Sequence, residues 1–257
     1  MATMSLPAYG SQDRLISAVS AVNDNVIVIN STGVAINMPW LDRVSAVLQA
    51  WFPGQEAGNS IVDVLFGTVN PGGKLPITIP TSLADTPSFG NFPGDVEKLQ
   101  VHYEEGIYIG YRYYDKYPEK VLFPFGFGLS YSEFKIGGVK LQQTVLRRGS
   151  SITVQADVEN TGSVAGSEVV QVYIAPPKSS VDRPLKVLAG FAKVTLEPGQ
   201  SKTAEVEVSF DSAAYWDENG SLWMVEKGEY EILVGNSSAN ILAKEKFSVD
   251  EDVTFKP

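Results

Sequence analysis

The sequence contains no cysteine and a single histidine, His102, among its 257 residues. Without cysteine, the chain forms no disulfide and supplies no thiolate nucleophile or cysteine ligand for zinc or an iron–sulfur cluster. A single histidine excludes a multi-histidine metal site within the chain. A serine–histidine–aspartate triad would depend on His102, and no Gly-x-Ser-x-Gly elbow occurs. We therefore expect no metal site and no cofactor.

Positive charge is also scarce. The chain has 20 lysines and arginines against 30 aspartates and glutamates, a formal net charge of -10. Nucleic acids and anionic membrane surfaces attract clustered Lys and Arg, so the sequence disfavours both partners. No apolar run approaches the roughly 20 residues that span a bilayer. Residues 1–7 lack the pattern of a secretory signal, which leaves the location of a longer parent protein open.

The first eighty residues alternate between helical and strand patterns. Helical spacing of apolar residues covers residues 9–22, and a helix is also predicted over residues 55–66. A short, continuous, β-branched run at residues 26–29 is typical of a parallel strand buried on both faces, and residues 46–51 are predicted to form a second strand. This alternation predicts a mostly parallel α/β sheet over residues 1–80.

Two parallel strands leave both sheet edges unpaired, so the predicted sheet is expected to be partial. Further strands would then lie upstream of this chain. The alternative is a small, independent α/β domain. An incomplete sheet would expose an apolar face, through which the chain could self-associate.

Glycine, proline and aromatic residues dominate residues 81–133, which we interpret as a linking region that packs between domains or borders a pocket. From residue 134 the apolar period changes to two. About seven short strands, separated by turn signals such as residues 160–162 (NTG) and 197–199 (EPG), are predicted. This pattern is typical of an immunoglobulin-like β-sandwich over residues 134–257.

Several motifs resemble those of glycoside hydrolase family 3, whose best-known members are the β-glucosidases. In the α/β half they are residues 51–59 (WFPGQEAGN), 63–67 (DVLFG) and 70–76 (NPGGKLP), followed by residues 103–115 (YEEGIYIGYRYYD) and 123–131 (FPFGFGLSY). Residues 158–162 (VENTG), 166–173 (GSEVVQVY) and 188–191 (LAGF) resemble the fibronectin type III-like domain that ends many family members. The resemblance covers nearly the whole chain, from about residue 4 to residue 249.

The resemblance implies where the catalytic groups belong. Retaining glycosidases use a nucleophile and a general acid/base, two carboxylates held about 5–5.5 Å apart. In this family the nucleophile lies on an N-terminal (β/α)8 barrel in a Ser-Asp-Trp type motif, which the sequence lacks. The acid/base is a glutamate shortly before a Met-x-Leu-Pro element, which residues 4–7 (MSLP) resemble. Both carboxylates are therefore expected upstream, and the chain alone is predicted to be inactive.

The implied activity is that of a retaining β-glucosidase. The complete enzyme would hydrolyse terminal, non-reducing β-D-glucosyl residues from a β-glucoside or oligosaccharide substrate. β-Xylosidases and β-N-acetylglucosaminidases belong to the same family, so the sugar stays open. The alternative is a non-catalytic module that binds a partner chain or a carbohydrate.

Four charged residues are candidates for substrate binding within the chain. Glu104 and Glu105 lie beside His102 and several tyrosines, an arrangement that resembles an acid/base cluster. Neighbouring residues on a strand point to opposite faces, so only one glutamate could enter a site. The alternative is that one glutamate pairs with Arg112 or another cation and orders the linking region. Glu56 either lines the substrate crevice or stabilises the first turn of its helix.

The four tryptophans are expected to be structural. Trp40 and Trp51 flank a predicted strand, and we expect core or interdomain packing rather than sugar platforms. Trp216 and Trp223 fall in the predicted sandwich, where we expect them to cover its edge.

Overall fold

The structure, a computed structural model, describes residues 12–179 and 181–256. Its first part, the α/β region, contains helix α1 (Gln12–Ser20), strand β1 (Ile27–Asn30), strand β2 (Ala46–Gln49) and helix α2 (Ala57–Leu65). The two strands pair in parallel, with Ile27 opposite Ala46, as the sequence predicted. The MSLP element at residues 4–7 lies outside the described residues.

A small apolar core holds the α/β region together. Trp40 is fully buried there, with Val28, Ile36, Met38 and Ile79 around it. Its indole N–H donates a hydrogen bond of 2.7 Å to Asp13 Oδ1 in α1. A buried indole nitrogen needs such a partner, so this bond fixes α1 against the core. Trp40 is thus a core residue, as expected.

The linking region returns to the α/β region instead of leaving it. Strand β3 (Ile79–Pro80) pairs antiparallel with strand β4 (Val121–Phe123), and the short helix α3 (Tyr111–Tyr114) lies between them in the chain. The backbone N–H of Leu75 donates to Phe127 O at 2.8 Å. The end of the linking region is therefore hydrogen-bonded into the α/β region, a connection that the sequence did not predict.

The remaining strands lie in residues 134–255, which we call the two-sheet region after its two larger sheets. They are β5 (Phe134–Leu141), β6 (Ser151–Asn160), β7 (Gly166–Ala175), β8 (Val187–Leu196), β9 (Ser201–Ser209), β10 (Tyr215–Asp217), β11 (Leu222–Val225), β12 (Gly228–Gly235), β13 (Ile241–Val249) and β14 (Val253–Phe255). One sheet has the order β13-β12-β7-β8 and another the order β5-β6-β9, with antiparallel pairing throughout.

Alternating apolar residues give these two sheets a common core. Val154 and Val158 of β6 belong to the same buried cluster as Val170 and Val172 of β7. A third, small sheet has the order β10-β11-β14. The rings of Trp216 and Trp223 lie edge-to-face in it, with centroids 5.6 Å apart. Within the described ranges, no helix is long and apolar enough to cross a membrane.

Candidate functional site

Glu104 and Glu105 lie in a turn, not on a strand. Residues 104–107 form this turn, which includes Gly106 at φ +54°, a backbone conformation that glycine adopts without strain. The argument that the two side chains point to opposite faces of a strand is therefore wrong. Glu104 and His102 are exposed. Glu105 Oε2 accepts a hydrogen bond of 3.1 Å from Asn91 Nδ2, within the linking region itself.

Arg112 lies in α3 and is half-buried. Among the ion pairs of residues 12–179 and 181–256, none involves Arg112, Glu104 or Glu105. The proposed pairing of a glutamate with Arg112 is therefore not observed. The structure does not bring these candidates together into a site.

Glu56 is exposed and sits at the N-cap position, one residue before α2, instead of within its first turn. Its side chain makes no cap hydrogen bond, and Oε2 accepts a bond of 2.6 Å from Asn59 Nδ2.

Between β2 and α2, Trp51 has a positive φ of +55°. Non-glycine residues adopt this conformation at an energetic cost, commonly near functional sites. Ser31 Oγ, after β1, donates to Trp51 O at 3.0 Å.

The most elaborate polar arrangement is the interface between residues 70–131 and the two-sheet region. Lys74 Nζ lies 2.7 Å from Glu168 Oε1 of β7, and these side chains are only 13% and 8% exposed. The same ammonium group donates to Gly128 O at 2.9 Å. Asn70 Nδ2 donates to Ala165 O at 2.9 Å. A charge pair this well buried is stabilised by close contact and by its additional hydrogen bonds.

Aromatic rings and a buried amide fill the middle of the interface. Tyr111 lies against Phe125 and Tyr173, with ring centroids 5.1 and 5.9 Å away. Its hydroxyl oxygen accepts a hydrogen bond of 2.8 Å from the backbone N–H of Leu188 in β8. Tyr173 donates to Gln171 Oε1 at 2.6 Å. Both residues are buried on the face of β7 that meets the linking region.

A second buried ion pair joins Asp115, just after α3, to Lys186, just before β8. Both side chains are 10% exposed. Burial raises the pKa of Asp115 above its ordinary value, and the Lys186 ammonium partly opposes that rise. Burial likewise raises the pKa of the neighbouring Tyr114 to about 12. The interface is therefore dry enough to penalise uncompensated charge.

This arrangement supports positioning of the two regions better than catalysis. Both buried carboxylates at the interface, Glu168 and Asp115, have a lysine partner. Among the described residues, no group of three histidine, cysteine or acidic side chains could hold a metal ion. The motifs at residues 70–76 and 166–173 contain Lys74 and Glu168, but nothing in the sequence links one motif to the other.

Comparison with known proteins assigns a family to these parts. Residues 1–111 match the glycosyl hydrolase family 3 C-terminal domain, and residues 168–238 match the fibronectin type III-like domain. The chain is 46% identical to β-glucosidase B of Emericella nidulans over 98% of its own length and 30% of that protein. It is 44% identical to the thermostable β-glucosidase B of Acetivibrio thermocellus over 98% of this chain and 33% of that one.

Solved structures agree with this assignment. A β-glucosidase from Kluyveromyces marxianus in complex with glucose superimposes with a TM-score of 0.92 at 42% identity, covering 99% of this chain and 30% of that one. A family 3 β-glucosidase from Bifidobacterium adolescentis gives 0.89 at 42% identity, over 96% of this chain and 36% of that one. The chain thus spans about 30% of the length of the relatives it matches. It belongs to glycosyl hydrolase family 3, and it corresponds to the C-terminal part of that family's β-glucosidases.

Proposed function

We propose that this chain is the scaffold portion of a retaining β-glucosidase that hydrolyses terminal, non-reducing β-D-glucosyl residues. The observation that carries the proposal is the 46% identity to a β-glucosidase over 98% of the chain, which spans only 30% of that enzyme. The rest of such an enzyme would supply both catalytic carboxylates and most of the site for a β-glucoside or oligosaccharide.

The environments of the carboxylates in this chain support that division of labour. A general acid needs a carboxyl group with a raised pKa that can reach the leaving-group oxygen, close to a second carboxylate. The pKa of Asp115 is raised, but Lys186 occupies one of its oxygens. Glu104 and Glu56 are exposed to solvent instead of lining a closed site. None of the three meets the requirement for a catalytic pair.

In this proposal, the interface between residues 70–131 and the two-sheet region holds the α/β region in place. Lys74, Asn70 and Tyr111 connect the α/β and linking regions to β7 and β8, so the two-sheet region would brace the α/β region. We propose that residues 134–257 form an immunoglobulin-like sandwich, that residues 81–133 are the linking region, and that residues 1–80 belong to a larger, mostly parallel sheet.

Exposed apolar side chains suggest where the rest of the enzyme would contact this chain. Among the described residues outside the two-sheet region, eight large ones are at least two-thirds exposed: Val22, Phe52, Phe66, Phe92, Val96, Leu99, Tyr103 and Leu129. Surfaces of this kind are usually covered in the working protein. We propose that the 257-residue chain, purified alone, self-associates and binds a hydrophobic dye. A monomer by light scattering, with no dye binding, would refute this.

A chimaera tests the proposed function. This chain would replace the matching C-terminal segment of the Emericella nidulans β-glucosidase B, and hydrolysis of p-nitrophenyl β-D-glucopyranoside would be measured. We expect the chimaera to hydrolyse this substrate. A folded chimaera without activity would contradict the proposal, as would a chimaera that cleaves the β-xyloside but not the β-glucoside.

A further inference from the structure

The turn that joins β10 to β11 contains an asparagine followed by a glycine, Asn219 and Gly220. No other asparagine in the sequence is followed by glycine. Both residues are exposed. Among the hydrogen bonds of the described residues, none involves the side-chain amide of Asn219. This amide is therefore open to water and free to rotate.

A single carboxylate holds the backbone of this turn. Asp217 Oδ1 accepts a hydrogen bond of 3.2 Å from the N–H of Asn219, and Oδ2 accepts one of 3.1 Å from the N–H of Gly220. The pairing of β10 with β11 lies outside the turn, at residues 215–217 and 222–224. Rotation of the Asp217 side chain therefore releases the backbone nitrogen of Gly220 without breaking that pairing.

The backbone nitrogen of Gly220 is also unshielded by its own residue, because glycine has no Cβ. Asn59 and Ser60 in α2 provide a contrast, although both are exposed. There the N–H of Ser60 donates to Glu56 O at 3.0 Å, as part of the helix, and Asn59 Nδ2 donates to Glu56 Oε2 at 2.6 Å. The helix thus restrains both the side-chain amide and the nitrogen that would attack it.

We infer that Asn219 is a site of spontaneous deamidation through a cyclic imide. The backbone nitrogen of Gly220 attacks Asn219 Cγ, and a new N–Cγ bond forms as the Cγ–Nδ2 bond breaks. The proton of the Gly220 N–H goes to the departing nitrogen, which leaves as ammonia. Water then opens the ring at either carbonyl carbon, so residue 219 becomes aspartate or isoaspartate. The net reaction consumes one water and involves no oxidation or reduction.

The product changes both the charge and the backbone of the turn. A carboxylate replaces the neutral amide beside Asp217 and Glu218, and the isoaspartate form adds one carbon to the main chain between β10 and β11. The inference does not require the chain to be part of a β-glucosidase, because the reaction uses only this turn and water.

The test follows the purified 257-residue chain during storage in a mildly alkaline buffer. Peptide mass spectrometry locates each deamidated asparagine, and labelling by an isoaspartyl methyltransferase measures isoaspartate. The blocking variant is Gly220→Ala, whose added Cβ shields the nitrogen and meets the movable end of the Asp217 side chain. The matched control is Gly137→Ala in β5, where an added Cβ meets open space. Circular dichroism checks that both variants fold.

We expect Asn219 to deamidate at least about tenfold faster than Asn59. Gly220→Ala should lower the rate at Asn219 by at least about tenfold, and Gly137→Ala should leave it unchanged. Direct hydrolysis of the amide would yield aspartate alone, so isoaspartate at residue 219 identifies the imide route. Equal rates at Asn219 and Asn59, aspartate without isoaspartate, or equal rates in the two variants would overturn the inference.

Discussion

Removing one partner of the Lys74–Glu168 pair should strongly destabilise the protein. The two side chains are 13% and 8% exposed, and their charged atoms lie 2.7 Å apart. Glu168→Gln would leave the Lys74 ammonium buried without a negative counter-charge, with Gly128 O and the neutral glutamine amide oxygen as its acceptors. Breaking a buried pair in this way typically costs about 3–5 kcal/mol, and the partial exposure here favours the lower end, about 3 kcal/mol. The free energy of unfolding in urea, followed by circular dichroism and tryptophan fluorescence, measures the loss.

The Glu229–Lys246 pair is the matched control. Its atoms are 2.6 Å apart, but both side chains are 63% exposed, and the pair joins neighbouring strands of one sheet. Water and salt screen such a pair, so Glu229→Gln should leave stability nearly unchanged. The double variant Lys74→Met/Glu168→Gln should lose less unfolding free energy than Lys74→Met and Glu168→Gln lose together, because it leaves no isolated buried charge. Equal losses in Glu168→Gln and Glu229→Gln would refute the reasoning.

Three further predictions concern other contacts. Gly126 has φ +81°, and a Cβ added there would overlap the Gln171 amide. Gly126→Ala should therefore lower the free energy of unfolding in urea by roughly 2 kcal/mol. Gly137→Ala is the control, because a Cβ at Gly137 meets open space, and it should lower that free energy by under about 0.5 kcal/mol. Asn160→Ala should lower the free energy of unfolding by about 3 kcal/mol in the same measurement. The Asn160 side chain is fully buried, and its Nδ2 donates hydrogen bonds to Val164 O and Leu196 O at 2.8 and 3.0 Å. Hydrogen bonds from Ser82, the larger effect, and from Thr81 hold the pKa of Asp85 below its ordinary value. The contribution of Asp85 to stability is therefore present above its unfolded-state pKa and is lost as the pH falls through its folded-state pKa. NMR titration of Ser82→Ala should show a higher pKa for Asp85, and an unchanged pKa would contradict this.

Local patterns predicted the strands well, because burial determines them residue by residue. The run at residues 26–29 predicted a strand, and β1 covers Ile27–Asn30. Alternation from residue 152 to residue 158 predicted β6, whose buried residues do alternate. The turn at Glu104 and Glu105 was missed because glutamates beside aromatic residues do not reveal a local backbone reversal. The signal was Gly106, followed by Gly110, both at positive φ.

The interface could not be predicted, because its partners are distant in the sequence. Lys74 and Glu168 lie in two separate sequence motifs, and no periodicity relates the two. The same holds for Asp115 and Lys186, which are 71 residues apart in the sequence. The sequence motifs predicted the family, which the comparisons confirm. They did not predict these contacts.

The most direct test of the central claim is an activity assay on the 257-residue chain alone. If both catalytic carboxylates come from the rest of the enzyme, the purified chain releases no p-nitrophenol from p-nitrophenyl β-D-glucopyranoside above background. Turnover by the chain that is abolished in Glu104→Gln or Glu105→Gln would contradict the account, because it would place the catalytic acid in the turn at residues 104–107.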